Sequence, residues 1–243
     1  MNDSQKTSQG LMRRVLVTAV VPMSMVGLMF LAGCWSDSGS EPKNFNSLVQ
    51  SWIKHVQGGH SVVNQARNLF DTTNPDTQRQ AIAWMAKQKW GHEKPYMDAY
   101  RLAESSPSPL VRGQAMLALG TSGEPAVAPD IQRGLADKSK FVRLCAAMAA
   151  GYINNPILIP DLVQCLENDK DAQTRVFAAE ALKPYKTRLV IETLINALDD
   201  RNVAIVQAAW DDLTVQTGQK FPQHSGPWQK WMHEHRSQFS TTG

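Results

Sequence analysis

Residues 137–150 have the sequence DKSKFVRLCAAMAA, and residues 169–182 have the sequence DKDAQTRVFAAEAL. In both stretches an arginine stands six residues after the first aspartate, and alanine or leucine follows the arginine after three and seven residues. Positions three and seven residues after the arginine lie on one face of an α-helix. The two stretches therefore predict the same helix, with a stripe of apolar side chains, at two places in the chain.

The pattern recurs at intervals of 31 to 33 residues beyond residue 70. Its arginine position is occupied by Arg79, Arg112, Arg143, Arg175 and Val206. The residues three positions later are Ile82, Ala115, Ala146, Ala178 and Ala209, and those seven positions later are Ala86, Leu119, Ala150, Leu182 and Leu213. A period of this length indicates a repeat protein, and we name the recurring helix the A helix of each unit.

A second apolar segment follows the A helix in the middle units, and we name it the B helix. Its apolar pairs, four residues apart, are Ile131 and Leu135, Leu162 and Leu166, and Leu194 and Leu198. Pro129 and Pro160 precede the first two pairs. Proline suits the first turn of a helix because its missing N–H would have no partner there. One hairpin of A and B helices is too small to enclose a core, so neighbouring hairpins must stack.

These units resemble HEAT repeats, particularly the short bacterial kind, over residues 75–213. The resemblance is carried by Val111-Arg112 with Ala115 and Leu119, Val142-Arg143 with Ala146 and Ala150, and Arg175-Val176 with Ala178 and Leu182. It implies an all-α fold, a right-handed α-α superhelix (an α-solenoid) with capping helices at its N- and C-terminal ends. It also implies that B helices line the concave surface, where partners of such proteins usually bind.

The resemblance implies a structural ladder for the arginines at the repeat position, Arg79, Arg112, Arg143 and Arg175. HEAT-repeat proteins pair this arginine with an aspartate six residues earlier, and Asp137 and Asp169 stand at that spacing before the third and fourth arginines. Thr73 and Ser106 replace the aspartate in the first two units. We therefore expect a partial ladder of ion pairs inside the protein rather than arginines that bind a ligand.

Segments on both sides of the repeats are predicted to cap the stack. Apolar residues recur at helical spacing from Phe45 to Val56 and again from Val62 to Phe70, so residues 45–74 predict N-terminal capping helices. Residues 214–243 contain a Thr-Gly-x-x-Phe element and a Trp-x-x-Trp helix. This segment resembles a tail of many bacterial HEAT-repeat proteins, and we expect a C-terminal cap followed by a frayed end.

Residues 1–33 have the organisation of a bacterial secretory signal peptide. Lys6, Arg13 and Arg14 precede a run from Val15 to Phe30 that carries no charge. The run is followed by Leu31-Ala32-Gly33-Cys34, which resembles the lipobox of bacterial lipoproteins. The resemblance implies that signal peptidase recognises Leu31, Ala32 and Gly33 and that Cys34 receives a diacylglyceryl group.

Residues 34–44 are then expected to form a flexible tether between the lipid anchor and the repeats. Because Trp35 stands where an aspartate would signal retention at the inner membrane, we expect a location in the cell envelope, on the periplasmic side of the outer membrane. An uncleaved membrane helix over residues 15–33 is the alternative, which Pro22, Gly27 and Gly33 disfavour. A cytosolic location is a third interpretation.

Polar residues on the B helices form the predicted site for a protein partner. If the apolar residues of these helices face the core, two rows of side chains face outward. The first row is Asp130, Asp161 and Thr193, and the second row is Arg133, Gln164 and Asn196. The alternative is an ordinary solvated helix face, which is common for polar side chains.

The sequence predicts no catalytic residue, no metal site and no cofactor. His92-Glu93 and His233-Glu234-His235 are similar to the His-Glu dyads of deoxyhypusine hydroxylase, a HEAT-repeat enzyme with four such dyads. Here only two are present, and adjacent residues on a helix point about 100° apart, so His233 and Glu234 do not share a face. Cys145 and Cys165 are expected to be buried thiols, and a disulfide between them is the alternative.

The chain is therefore expected to be a non-enzymatic scaffold for protein interaction, with no nucleic acid and no small molecule as partner. Beyond residue 33 it has 22 Lys and Arg against 21 Asp and Glu, so its charge gives no general attraction to nucleic acid. Two other functions of similar proteins remain as alternatives. One is an enzyme resembling phycobilisome lyases or a metal-dependent hydroxylase, and the other is a nucleic-acid-binding protein resembling HEAT-like DNA glycosylases.

Overall fold

The computed structural model describes residues 60–239, with side chains from residue 64 onward. This part of the chain contains eleven α-helices and no β-strand, and it is an all-α solenoid, as predicted. The predicted signal peptide, the tether and the apolar segment from Phe45 to Val56 lie outside the described residues. No helix between residues 60 and 239 has the length and apolar character needed to cross a membrane.

The helices alternate between two layers. The A helices are α2 (Pro75–Ala86), α4 (Pro109–Gly120), α6 (Lys140–Ile153), α8 (Ala172–Leu182) and α10 (Val203–Thr217). The B helices are α3 (Lys94–Ala103), α5 (Ala128–Leu135), α7 (Ile159–Asn168) and α9 (Arg188–Ala197). Two further helices, α1 (His60–Phe70) and α11 (Ser225–His235), pack against α2 and α9 respectively.

The residues predicted to lie between the helices are buried. Each residue three positions after the arginine position has no exposed surface, and these residues are Ile82, Ala115, Ala146, Ala178 and Ala209. Neighbouring A helices approach closely at small side chains. A Cβ atom added to Gly120 would lie 2.5 Å from the Cβ atom of Ala149, which is closer than two such atoms can approach. The small residues therefore set the distance between successive units.

The end of α6 is set by an asparagine. The helix continues through Gly151 to Ile153, and the residue that follows it, Asn154, adopts the left-handed conformation with φ of 42°. Asn tolerates this conformation better than most residues. The sequence analysis located no B helix in the first unit, where α3 buries Tyr96, Met97 and Tyr100.

Three arginines of the repeat position connect neighbouring units. Arg112 donates to both carboxylate oxygens of Asp137 at 2.9 Å. Arg143 donates to both oxygens of Asp169 at 2.6 and 3.0 Å. The third pair is weaker, because Arg175 donates only one N–H to Asp200, at 3.4 Å. Such two-point pairs between guanidinium and carboxylate are among the stronger hydrogen bonds in proteins.

These three arginines bind within the protein, but not to the aspartate partner that was predicted. Each arginine binds the aspartate at the start of the following unit, and the residue six positions earlier contributes only its backbone carbonyl. Arg143, for example, donates to the carbonyl oxygen of Asp137 at 3.0 Å. Spacing along the chain does not show this connection, because the paired residues are brought together by stacking.

Each ladder aspartate also fixes the start of its own A helix. Asp169 accepts the backbone N–H of Asp171 at 2.8 Å in addition to the two hydrogen bonds from Arg143. Burial alone would raise the pKa of Asp169, but these hydrogen bonds and the charge of Arg143 hold it below its usual range. The same carboxylate therefore holds the backbone at the start of α8 and binds the arginine of the preceding unit.

Arg79 was predicted to belong to this ladder and does not. It lies 3.8 Å from Asp76 on its own helix, and both side chains are substantially exposed. The reason is the residue at the start of the second unit, where Ser106 provides no carboxylate. The ladder within residues 60–239 therefore has three rungs and begins at Arg112.

We expect Arg143→Gln to lower the free energy of unfolding by about 3 kcal/mol, because it leaves the buried carboxylate of Asp169 without its cation. Arg79→Gln is the matched control and should change it by less than about 1 kcal/mol, since its ion pair is exposed. Chemical denaturation of both variants measures the difference. Equal effects of the two substitutions would show that the ladder does not stabilise the stack.

Candidate functional site

The outer face of the B helices was predicted to bind a partner through two rows of side chains. The first row does not face outward as expected. Asp130 and Thr193 are only 6% and 3% exposed, and Asp161 is half-buried. Asp130 is covered by arginine side chains, and Thr193 lies on α9, which packs between α7 and α11. The prediction that Asp130 and Thr193 form an outward row is therefore wrong.

The second row lies as predicted. Arg133, Gln164 and Asn196 are exposed on three successive B helices, α5, α7 and α9. All three side chains of this row are exposed, although the guanidinium of Arg133 already donates to Glu104 and Asp130, whereas Asp130 and Thr193 belong to the packing between helices. We call Arg133, Gln164 and Asn196 the B-helix row.

A network of charged side chains surrounds the first member of the B-helix row. Asp130 accepts hydrogen bonds from Arg101 at 3.0 Å and from Arg133. Arg133 also donates to Glu104 at 2.9 and 3.2 Å, and Arg101 donates to Asp98 at 3.2 Å. The network joins α3, and Glu104 directly after it, to α5, so it connects the first unit to the second.

Glu104 has an unusual protonation behaviour within this network. Burial raises its pKa to about 7, and the hydrogen bond from Arg133 opposes that rise. Its Oε1 atom is buried without a hydrogen-bond partner among the described residues. The network contains three carboxylates and two guanidinium groups, so one proton on Glu104 would balance its charge.

Polar contacts continue along the rest of the B-helix face. Gln132 donates to Asp161 at 2.6 Å and so connects α5 to α7. At the far end, Glu192 accepts hydrogen bonds from Arg188 at 2.9 Å and from Arg236 at 3.3 Å. The face therefore presents fixed polar groups over the length of the stack, which is suitable for contact with the polar surface of another macromolecule.

A second carboxyl group with a raised pKa lies in the last unit. Asp212 on α10 is 3% exposed, and burial raises its pKa to about 7, while Lys183 at 3.6 Å opposes the rise. The Oδ2 atom of Asp212 and both side-chain polar atoms of Gln216 are buried without a hydrogen-bond partner among residues 60–239. Asp212 and Glu104 belong to different hairpins, so the raised pKa values do not mark one catalytic pair.

The histidines and cysteines singled out in the sequence do not converge. In the part of the chain that the structure describes, no group of three or more His, Cys, Asp or Glu side chains is arranged to hold a metal ion. His92 lies between α2 and α3, whereas His233 and His235 lie on α11. Cys145 and Cys165 are free thiols, and burial raises the pKa of each to about 11.

The A-helix layer carries a groove that the sequence analysis missed. It lies between α6 and α8 and is lined by Ala147, Met148, Gly151, Tyr152, Phe177, Glu180 and Ala181. Tyr152 is 55% exposed, and Met148 and Phe177 are half-buried. Periodicity gives no clear signal for this groove, because α6 and α8 carry apolar residues on more than one side and the sequence does not show which side a neighbouring helix covers.

Comparison with known proteins identifies the repeat. The family of HEAT repeats matches residues 63–151 and 131–211. Among solved structures, the X-ray structure of the Escherichia coli protein YibA is similar, with 19% sequence identity and a TM-score of 0.49. The similarity covers 74% of this chain and 77% of that chain. No curated protein matches the chain in sequence.

We expect Asp130→Asn to lower the free energy of unfolding by about 2 kcal/mol, because a neutral amide cannot accept from two arginines as a carboxylate does. Gln164→Ala, in the exposed B-helix row, should change it by less than about 0.5 kcal/mol. Thermal or chemical denaturation distinguishes the two positions. A stable Asp130→Asn protein would mean that the network is not structural.

The raised pKa of Asp212 predicts a dependence of stability on pH. Between pH 4 and 7 the folded protein retains a proton on Asp212 that the unfolded chain releases, so stability falls as pH rises through this range. Asp212→Asn removes the charge that is unfavourable above pH 7. We therefore expect a higher melting temperature than the native protein at pH 8 and a difference that shrinks toward pH 4. A lower melting temperature at pH 8 would mean that the ion pair with Lys183 outweighs burial.

Proposed function

Because the chain belongs to the HEAT-repeat family, we propose that it is a non-enzymatic scaffold that binds a protein partner through the exposed face of its B helices. The observation that supports this proposal is the B-helix row, in which Arg133, Gln164 and Asn196 are exposed on three stacked helices. Side chains held on a rigid stack lose little conformational freedom on binding, which favours affinity.

The electrostatics of this face favour a protein over a nucleic acid as the partner. Asp98, Glu104 and Asp130 outnumber Arg101 and Arg133 in the network beside the row. A surface that binds phosphates would need an excess of cations. A polar protein surface with charges of both signs is complementary to the mixed charges found here.

The second part of the proposal concerns location. The lipobox-like residues Leu31 to Cys34 support a lipid anchor at the cell envelope, with residues 34–44 as the tether. Each buried methylene of an acyl chain contributes about 0.8 kcal/mol, so two or three chains on Cys34 would hold the domain at a membrane. Trp35 supports the outer membrane as that location. A scaffold anchored in this way would hold its partner near the membrane surface.

We expect Cys34→Ala to abolish incorporation of radiolabelled palmitate in bacterial cells and to leave a precursor of higher mass. Cys145→Ala is the matched control, because that thiol is buried and should not be acylated. Gel autoradiography and mass spectrometry provide the measurement. Unchanged labelling of Cys34→Ala would contradict the lipoprotein proposal and leave the scaffold proposal intact.

The scaffold proposal is tested by photocrosslinking in the cell. A benzoylphenylalanine at Gln164 or Asn196 should give a discrete crosslinked band with a protein partner, because both positions are exposed in the B-helix row. The same group at Lys87, which is exposed beyond the end of α2, is the control. The absence of any band specific to the two B-helix positions would contradict the proposal.

A further inference from the structure

The groove between α6 and α8 is a partly apolar surface that the described part of the chain does not cover. The side of α6 and α8 that packs between units is filled with alanine, but Met148, Tyr152 and Phe177 lie on the groove side. These three apolar side chains are therefore left partly uncovered by the described chain.

The glycine in the groove has no structural explanation within residues 60–239. Gly151 lies inside α6, and a Cβ atom added there would meet no atom within 4 Å. By contrast, a Cβ atom on Gly113 or Gly120 would collide with Phe141 or Ala149. Glycine in a helix is unfavourable relative to alanine. Gly151 is exposed and lines the groove without filling any of it.

The charge in the groove indicates the chemistry of its occupant. Glu180 is the one charged side chain of the lining; it is exposed and forms no ion pair with any residue from 60 to 239. The negative charge of the groove is therefore that of Glu180 alone, because the neighbouring Asp212 is buried and faces Lys183 at 3.6 Å. The faces of Tyr152 and Phe177 attract a cation, and the alkyl chain of a lysine or arginine packs on apolar surface.

We propose that this groove binds a lysine or arginine side chain, flanked by apolar residues, from a segment of a partner protein. The cation would lie beside Tyr152 and Phe177 with its charge at Glu180, and the neighbouring apolar residues would pack on Met148 and over Gly151. This site goes beyond the proposed function, because it lies on the A-helix layer and differs in chemistry from the polar B-helix row.

The test uses the full chain in a non-ionic detergent, labelled with carbon-13 at the methionine methyl groups. The probe is the peptide acetyl-Gly-Leu-Arg-Leu-Gly-amide, and the signal of Met148 is assigned from Met148→Leu. We expect a saturable shift of the Met148 signal with this peptide. Peptides with glutamate in place of arginine, or glycine in place of both leucines, should bind at least tenfold more weakly.

Variants of the protein separate binding from folding. Glu180→Gln should lower the affinity for the arginine peptide about tenfold. Glu167 is an exposed carboxylate on α7, and Glu167→Gln should leave this affinity unchanged. Gly151→Gln should abolish the shift without lowering the melting temperature, because the new side chain meets open space.

Two results would overturn the proposal. One is the absence of a saturable shift of Met148, and the other is equal affinity for the arginine and glutamate peptides, which would show apolar contact alone. Neither result bears on the crosslinking at Gln164 and Asn196, so failure of this proposal is distinguishable from failure of the proposed scaffold.

Discussion

The close approach of neighbouring A helices is the constraint on which the rest of the structure depends. At Gly120 the helices leave no space for a Cβ atom, and Ala146 and Ala178 are completely buried. Two helices can approach this closely only where small side chains meet along the whole contact. The approach fixes the register of one unit on the next, and the ladder arginines reach their aspartates because that register is fixed.

The two layers of the solenoid have different surface chemistry. The B layer exposes polar and charged side chains, many of which are already hydrogen bonded between units, as Arg133 is to Glu104. The A layer exposes a partly apolar groove around Tyr152 and Phe177, with Glu180 as its charged residue. Affinity at the first surface would come from polar complementarity, and affinity at the second would come from removal of apolar area from water together with the charge of Glu180. One stack of helices can therefore offer two chemically distinct binding surfaces.

Much of the fold could be predicted from the sequence, because burial in a helical repeat follows a short period. The residues three positions after Arg112 and Arg143 are buried as the period required. The partners of these arginines could not be predicted in the same way, because their aspartates stand 25 and 26 residues later in the chain. Stacking alone brings them together.

The candidate site was predicted less well than the fold, for a related reason. Periodicity distinguishes the core side of a helix from its other sides, but it does not show which polar residues a neighbouring unit covers. The sequence pattern therefore predicts that Asp130 is exposed, although Arg101 from the preceding unit covers it. The groove on the A layer was missed for the opposite reason, because an apolar helix face in a sequence looks the same whether or not another layer covers it.

Each ladder aspartate binds backward to the previous unit, and each ladder arginine binds forward to the next. An internal unit therefore carries one arginine donor and one aspartate acceptor. A duplicated copy of such a unit would contain both residues. Val206 stands at the arginine position of the last unit and offers no donor, so the series of rungs ends with the pair of Arg175 and Asp200. Stacking itself does not require a rung, because the first two units pack together although Arg79 has no ladder partner.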